Sequence, residues 1–103
     1  MSTDIEVKNR LEINHAVKEP PMFKVIYIND NQTSMEFVID TLIEYFDYTP
    51  DTAHDITIDI HETGAATVAI LPYEIAEQKG IEVTLAARTK HYPLQVKLEP
   101  ESV

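Results

Sequence analysis

Cysteine and tryptophan are both absent from the 103 residues, and glycine occurs only twice. Without thiols there is no disulfide framework, no thiol nucleophile and no zinc site built on thiolates. Four scattered His and the carboxylates are then the only candidate metal ligands. Basic residues are scarce: eight Lys and Arg stand against eighteen Asp and Glu, a formal net charge of -10. That balance excludes a nucleic-acid face, which needs clustered cations to release counterions. A field of this sign attracts cations instead, amines among them. No apolar run approaches the roughly 20 residues that span a bilayer, and Met1-Ser2-Thr3-Asp4 lacks the basic start and apolar stretch of a signal peptide. The expectation is a soluble, cytoplasmic monomer with no membrane or nucleic-acid partner. With 44% apolar and 25% charged residues the chain is a folded one, and its length fits one small domain with a modest core.

Residues 1–19 alternate charge and aliphatic without a clean period, and Pro20-Pro21 bars a helix from running onward, so this stretch reads as a flexible arm. Met22 to Ile28 alternates, with Phe23, Val25 and Tyr27 on one face and Met22, Lys24, Ile26 and Ile28 on the other, which predicts a central strand. Asn29-Asp30-Asn31-Gln32 ends it. Thr33 to Glu36 has capping-box spacing, with Thr33 as cap, ahead of an amphipathic helix through Met35, Val38, Ile39, Leu42 and Phe46. Thr49-Pro50 starts a second helix, with Ala53, Ile56, Thr57 and Ile60 inward and Gly64 as its stop. Ala65 to Leu71 reads as a buried strand. A third helix runs from Pro72-Tyr73-Glu74 to about Lys90, and Leu94, Val96 and Leu98 alternate in a last strand. The order β-α-α-β-α-β predicts an α+β domain over residues 20–99, a small three-stranded antiparallel sheet with three helices on one face. Residues 100–103 form a frayed end.

Few residues point to chemistry. Asn29-Asp30-Asn31 opens like a calcium loop, but no turn Gly follows and the twelfth position from Asp30 is Thr41, not a bidentate Glu, so a polar turn is the better reading and no metal or cofactor is expected. No Gly-x-Ser-x-Gly elbow exists, and Ser34 with His61 makes a poor catalytic pair, so no enzyme is expected. His61 stands out at the predicted C-terminus of the second helix, where a side chain can point into a cleft. His15, His54 and His91 read as surface. The stripe of Met35, Val38, Ile39 and Leu42 serves equally as core or as the lining of an adaptable pocket.

The string Phe23-Lys24-Val25-Ile26-Tyr27-Ile28-Asn29-Asp30-Asn31-Gln32-Thr33-Ser34-Met35-Glu36-Phe37-Val38-Ile39 resembles the signature of ClpS, the adaptor that brings N-degron proteins to the Clp protease. The resemblance continues through His61 before Gly64, Glu74-Ile75-Ala76-Glu77-Gln78-Lys79 and Tyr92-Pro93-Leu94, and spans about residues 20 to 99. It implies a binding module whose fold agrees with the order above. Asn29, Asp30, Asn31 and His61 would hold the free α-amino group of a substrate. Met35, Val38, Thr57, Ile60 and Leu94 would line a pocket for its bulky first side chain, Phe, Tyr, Trp or Leu, with Thr33 and Ser34 at the edge. Met35 would exclude β-branched residues by shape. Glu74 and Lys79 would dock on the N-terminal domain of a ClpA- or ClpC-type AAA+ unfoldase, and residues 1–19 would engage its channel.

Two departures from the family pattern carry expectations of their own. Asn31 replaces a second acidic residue, which removes one charge that would pair with the ammonium, and neutral hydrogen bonds are roughly half as strong as charge-assisted ones. Thr57 replaces a large apolar residue, which makes the pocket roomier and more polar and shifts preference towards larger aromatic N-termini. The alternative implied is an antagonist that keeps the docking face and blocks the unfoldase without delivering substrate.

Overall fold

The computed structural model describes residues 20–102, so the expected arm, His15 and Val103 lie outside the described residues. The elements follow in the expected order: β1 (Met22–Ile28), α1 (Met35–Phe46), α2 (Pro50–Thr63), β2 (Ala65–Pro72), α3 (Tyr73–Thr89) and β3 (Gln95–Pro100). The sheet order is β2-β1-β3 with both pairings antiparallel, which makes β1 the centre. Alternation on β1 turns Val25 and Tyr27 into the core, both fully buried, against Leu42 of α1, Ala53 of α2 and Val83 and Ala87 of α3. Each large aliphatic side chain removed from water in this way contributes about 1.5–3 kcal/mol.

Helix ends obey local chemistry, with one shift of register. Thr49 caps α2, accepting from the Thr52 amide at 3.3 Å, with Pro50 behind it, and Gly64 closes the helix at φ 93. The cap of α1 is Ser34, whose hydroxyl accepts the Phe37 amide at 3.1 Å, and not Thr33 as the capping-box spacing predicts. Thr33 is held in the turn instead, its amide and hydroxyl both donating to the Asp30 carboxylate at 2.7 and 2.8 Å.

β2 also differs from expectation. It is an edge strand, and Val68 is its only fully buried residue. Ala at exposed positions costs little, so an apolar run containing three alanines does not demand burial on both faces. Between Val25 and Ile26 the register with β2 slips, leaving Val68 as the extra residue of a bulge, and the Tyr48 hydroxyl donates to the Val68 carbonyl. β3 reaches Pro100, and the Glu101 amide donates to the Met22 carbonyl at 2.9 Å, so order extends past the expected boundary at 99. Gly80 lies within α3, where an added Cβ would sit 3.6 Å from Val96 Cγ1, an ordinary contact.

Under α1 the Thr41 hydroxyl donates to the Val38 carbonyl at 2.8 Å, which makes the Tyr27 phenol the donor in the 2.8 Å bond between Tyr27 and Thr41. Burial holds the Tyr27 phenol far above its ordinary 10.0. A raised folded-state value contributes stability that is complete below pH 10 and is lost as pH rises towards that value. Tyr27→Phe is expected to lower stability by about 1 kcal/mol at neutral pH and to flatten the loss of stability above pH 10. Urea unfolding of both proteins near pH 7 and pH 11 checks this; equal alkaline slopes would exclude Tyr27 as the titrating group.

Candidate functional site

Five segments converge on one cavity of about 240 Å³ at the end of the sheet. β1 delivers Ile28, the turn after it delivers Asn29, Asp30, Asn31 and Thr33, and α1 delivers Met35 and Val38. Thr57, Ile60 and His61 come from α2, on one face because they are spaced three and four residues apart. Leu94 enters from the segment before β3. The volume lies below the roughly 300–1,000 Å³ of sites for drug-sized ligands, and suits a single side chain.

The turn is organised by Asp30. One carboxylate oxygen accepts the Gln32 and Thr33 amides at 2.8 and 2.7 Å, while the other accepts the Thr33 hydroxyl. Burial alone would raise the Asp30 carboxyl, but these bonds, helped by the positive field of Arg88, hold it below its ordinary 3.8. The Asn29 amide donates to the Gly64 carbonyl at 2.9 Å, which ties the turn to the end of α2 that carries His61.

On the opposite wall, Arg88 Nη1 donates to the carbonyls of Tyr92 and Leu94 at 2.8 and 3.0 Å. His91 takes a left-handed conformation at φ 64, and the chain doubles back so that the Tyr92 ring meets Phe37 of α1, centroids 5.1 Å apart. Leu94 is thereby seated 1% exposed although it precedes the strand.

The cavity is graded in polarity. Val38, Thr57, Ile60 and Leu94 are buried and form the floor. Asn29, Asn31 and His61 are exposed at the mouth, and Met35, 38% exposed, stands beside them. Amide oxygens and an imidazole at the mouth can accept hydrogen bonds from a cation whose apolar body lies below. Among the described residues no three His, Asp or Glu side chains cluster as a metal site would require.

Of the residues singled out from sequence for the rim, pocket and edge, only Ser34 does not line the cavity, being used as the cap of α1. Ile28 and Arg88 were missed. Ile28 is the last strand residue before the polar turn, and Arg88 is a basic residue in the last turn of α3, a place where side chains bond to nearby carbonyls. Glu74 and Lys79 lie on α3 and do not line the cavity; Glu74 is exposed and Lys79 is 4.0 Å from Glu82. His54 and His91 are exposed, as expected.

Residues 18–97 match the family model described as ATP-dependent Clp protease adaptor protein ClpS. The chain belongs to the ClpS family. The ATP-dependent Clp protease adapter protein ClpS of Clostridium acetobutylicum is 38% identical over 98 residues, covering 95% of this chain and 97% of the relative. Its counterpart from Nitratidesulfovibrio vulgaris is 44% identical over 89 residues, 86% of this chain and 89% of the relative. Among solved structures, Agrobacterium tumefaciens ClpS2 bound to L-phenylalaninamide superposes with a TM-score of 0.78 at 34% identity, covering 81% of this chain and all of that one (100%). The observed strand order and the β-α-α-β-α-β succession are therefore those of a ClpS domain, and the protein is a Clp protease adaptor. No helix among its described residues is long and apolar enough to cross a membrane.

Asp30→Ala removes three hydrogen bonds at once and is expected to lower stability by about 1–2 kcal/mol, towards the lower end because solvent screens the half-exposed turn. In the unsubstituted protein the turn is expected to hold at any pH above 3.8 and to loosen as pH falls through the lowered Asp30 value. Amide hydrogen exchange at Gln32 and Thr33 reads both; protection unchanged by the substitution would show that the carboxylate does not order the turn.

Proposed function

We propose that this ClpS protein is an N-degron adaptor, holding the first residue of a substrate by its free α-amino group and bulky side chain. The observation that carries this reading is the graded cavity, with a buried apolar floor one side chain deep beneath a mouth of hydrogen-bond acceptors. A bulky N-terminal residue has the matching profile, an apolar side chain joined at one carbon to an ammonium. An ammonium left without partners in a partly dry site costs several kcal/mol, so acetylated or internal residues are rejected. The Agrobacterium relative's ligand, L-phenylalaninamide, is such a residue, with a free amine and an aromatic side chain.

In this assignment Asn29, Asn31 and His61 accept from the ammonium, and Asp30 holds the turn while adding its negative field. Met35, Val38, Thr57, Ile60 and Leu94 enclose the side chain, with Thr33 at the edge. Glu74 and Lys79 on α3 dock on the N-terminal domain of a ClpA- or ClpC-type AAA+ unfoldase, away from the cavity, so that substrate and unfoldase are held together. The protein acts as a cytoplasmic, non-catalytic monomer in this scheme.

Fluorescence anisotropy with labelled peptides that differ only at residue one is the direct test. A free N-terminal Phe, Tyr, Trp or Leu is expected to bind, Ile to bind poorly, and acetylation to abolish binding. His61→Ala is expected to weaken binding roughly ten- to a hundredfold, the value of one hydrogen bond to a charged group. Absence of binding by every free N-terminus, with unfoldase docking intact, would favour the antagonist reading, for which the neutral Asn31 is the supporting observation. Replacing Glu74 and Lys79 by Ala is expected to abolish co-elution with the unfoldase and leave peptide affinity within twofold of the original (about 0.4 kcal/mol); parallel loss of both would refute a separate docking face.

A further inference from the structure

Resting on the N-degron reading, we propose that Thr57 makes the cavity select N-terminal side chains that carry a hydrogen-bond donor at their far end, the phenol of Tyr or the indole N–H of Trp. Size alone does not set the preference. The four buried residues of the floor are Val38, Thr57, Ile60 and Leu94, and Thr57, 2% exposed, is the only one with a polar side-chain atom.

That hydroxyl already has its one proton engaged, donated to the Ala53 carbonyl one turn back at 2.8 Å. Its oxygen can therefore act on a ligand only as an acceptor. Thr57 also lies at the right depth. It precedes His61 by four residues on the same face of α2, so at 1.5 Å per residue the floor oxygen lies about 6 Å along the helix from the mouth. This is comparable with the reach of a tyrosine from its α-carbon to its hydroxyl. A ligand amine held beside His61 thus brings a phenol hydroxyl to the level of Thr57.

The selection works in both directions. A donor that meets Thr57 replaces the water it left, whereas on a wholly apolar floor the same hydroxyl would be buried without a partner. A Phe or Leu side chain fills the space and leaves the Thr57 oxygen with its single bond. Bonding to the carbonyl four residues back is also a common habit of helical threonine, so the decisive readout is discrimination between ligands and not stability.

The experiment is competition anisotropy on the full chain with peptides identical beyond residue one, which is Phe, Tyr, Trp or para-methylphenylalanine. The last has nearly the shape of Tyr and no donor. Tyr is expected to bind roughly three- to tenfold more tightly than para-methylphenylalanine. Thr57→Ser should keep that ratio. Thr57→Val, close in shape to Thr, should reduce it to one or below. An unchanged ratio in Thr57→Val, or no preference in the unsubstituted protein, overturns the role of Thr57 and leaves the adaptor reading standing. Failure of the Phe peptide itself to bind overturns the adaptor reading, and this inference with it.

Discussion

Because the Asp30 carboxylate takes two amides and a hydroxyl from Gln32 and Thr33, the passage from β1 to α1 is organised by its own hydrogen bonds. Much of the site inherits its position from that arrangement. Thr33 is removed from the helix cap, Ser34 moves into the cap, and Met35 begins α1 at the cavity mouth. Asn29 is left exposed on one side of Asp30 and Asn31 on the other, and the Asn29 amide bonds to Gly64, so the turn and the end of α2 share one frame. Three of the roughly four acceptor sites of that carboxylate are thus taken within the turn, two on one oxygen and one on the other.

The floor is built from the core itself. Val38, Ile60 and Leu94 belong to the same buried cluster as Val25, Tyr27 and Leu42, so the cavity is a gap that the packing of α1 and α2 beside the end of β1 leaves open. Truncating any of these residues removes core contacts and enlarges the cavity together, at a cost of about 2–5 kcal/mol for a large aliphatic side chain. Specificity and stability are thus coupled on the floor and separable only at the rim, or through substitutions that keep volume. The Arg88 clamp on Tyr92 and Leu94 extends this coupling, since a side chain outside the cavity sets the depth of one wall.

The order of the elements, the central place of β1 and the ends of α2 were legible because each depends on residues close in sequence: strict alternation from Phe23 to Tyr27, Thr49 before Pro50, and Gly64 where a positive φ is needed. What escaped involved competition or distance. The cap shifted from Thr33 to Ser34 because a carboxylate three residues upstream takes both the amide and the hydroxyl of Thr33 and holds that residue in the turn, which a spacing rule does not weigh. β2 lay at an edge although its run of Ala, Val and Ile reads as buried, since periodicity does not distinguish alanine that is hidden from alanine that is tolerated. The grouping of His61 with Asn29 and Leu94 followed from the family resemblance; no local pattern joins positions that far apart. Arg88 had no partner in view until the chain after α3 turned back on it.

Charge at the mouth has two parts that act over different ranges. The overall excess of acidic residues, -10 in all, attracts cations from a distance, but at physiological ionic strength that attraction fades over roughly 8 Å. Inside that range the groups at the mouth are the amides of Asn29 and Asn31, the imidazole of His61 and the engaged carboxylate of Asp30. If the ammonium is held there, replacing a carboxylate by Asn31 lowers the direct attraction while leaving the long-range field almost intact. The encounter would then stay fast and the residence time would shorten, because affinity differences within one interface are expressed mostly in dissociation. A weaker hold at the amine would also give the side chain on the floor a larger share of the total, and the floor is where Thr57 lies.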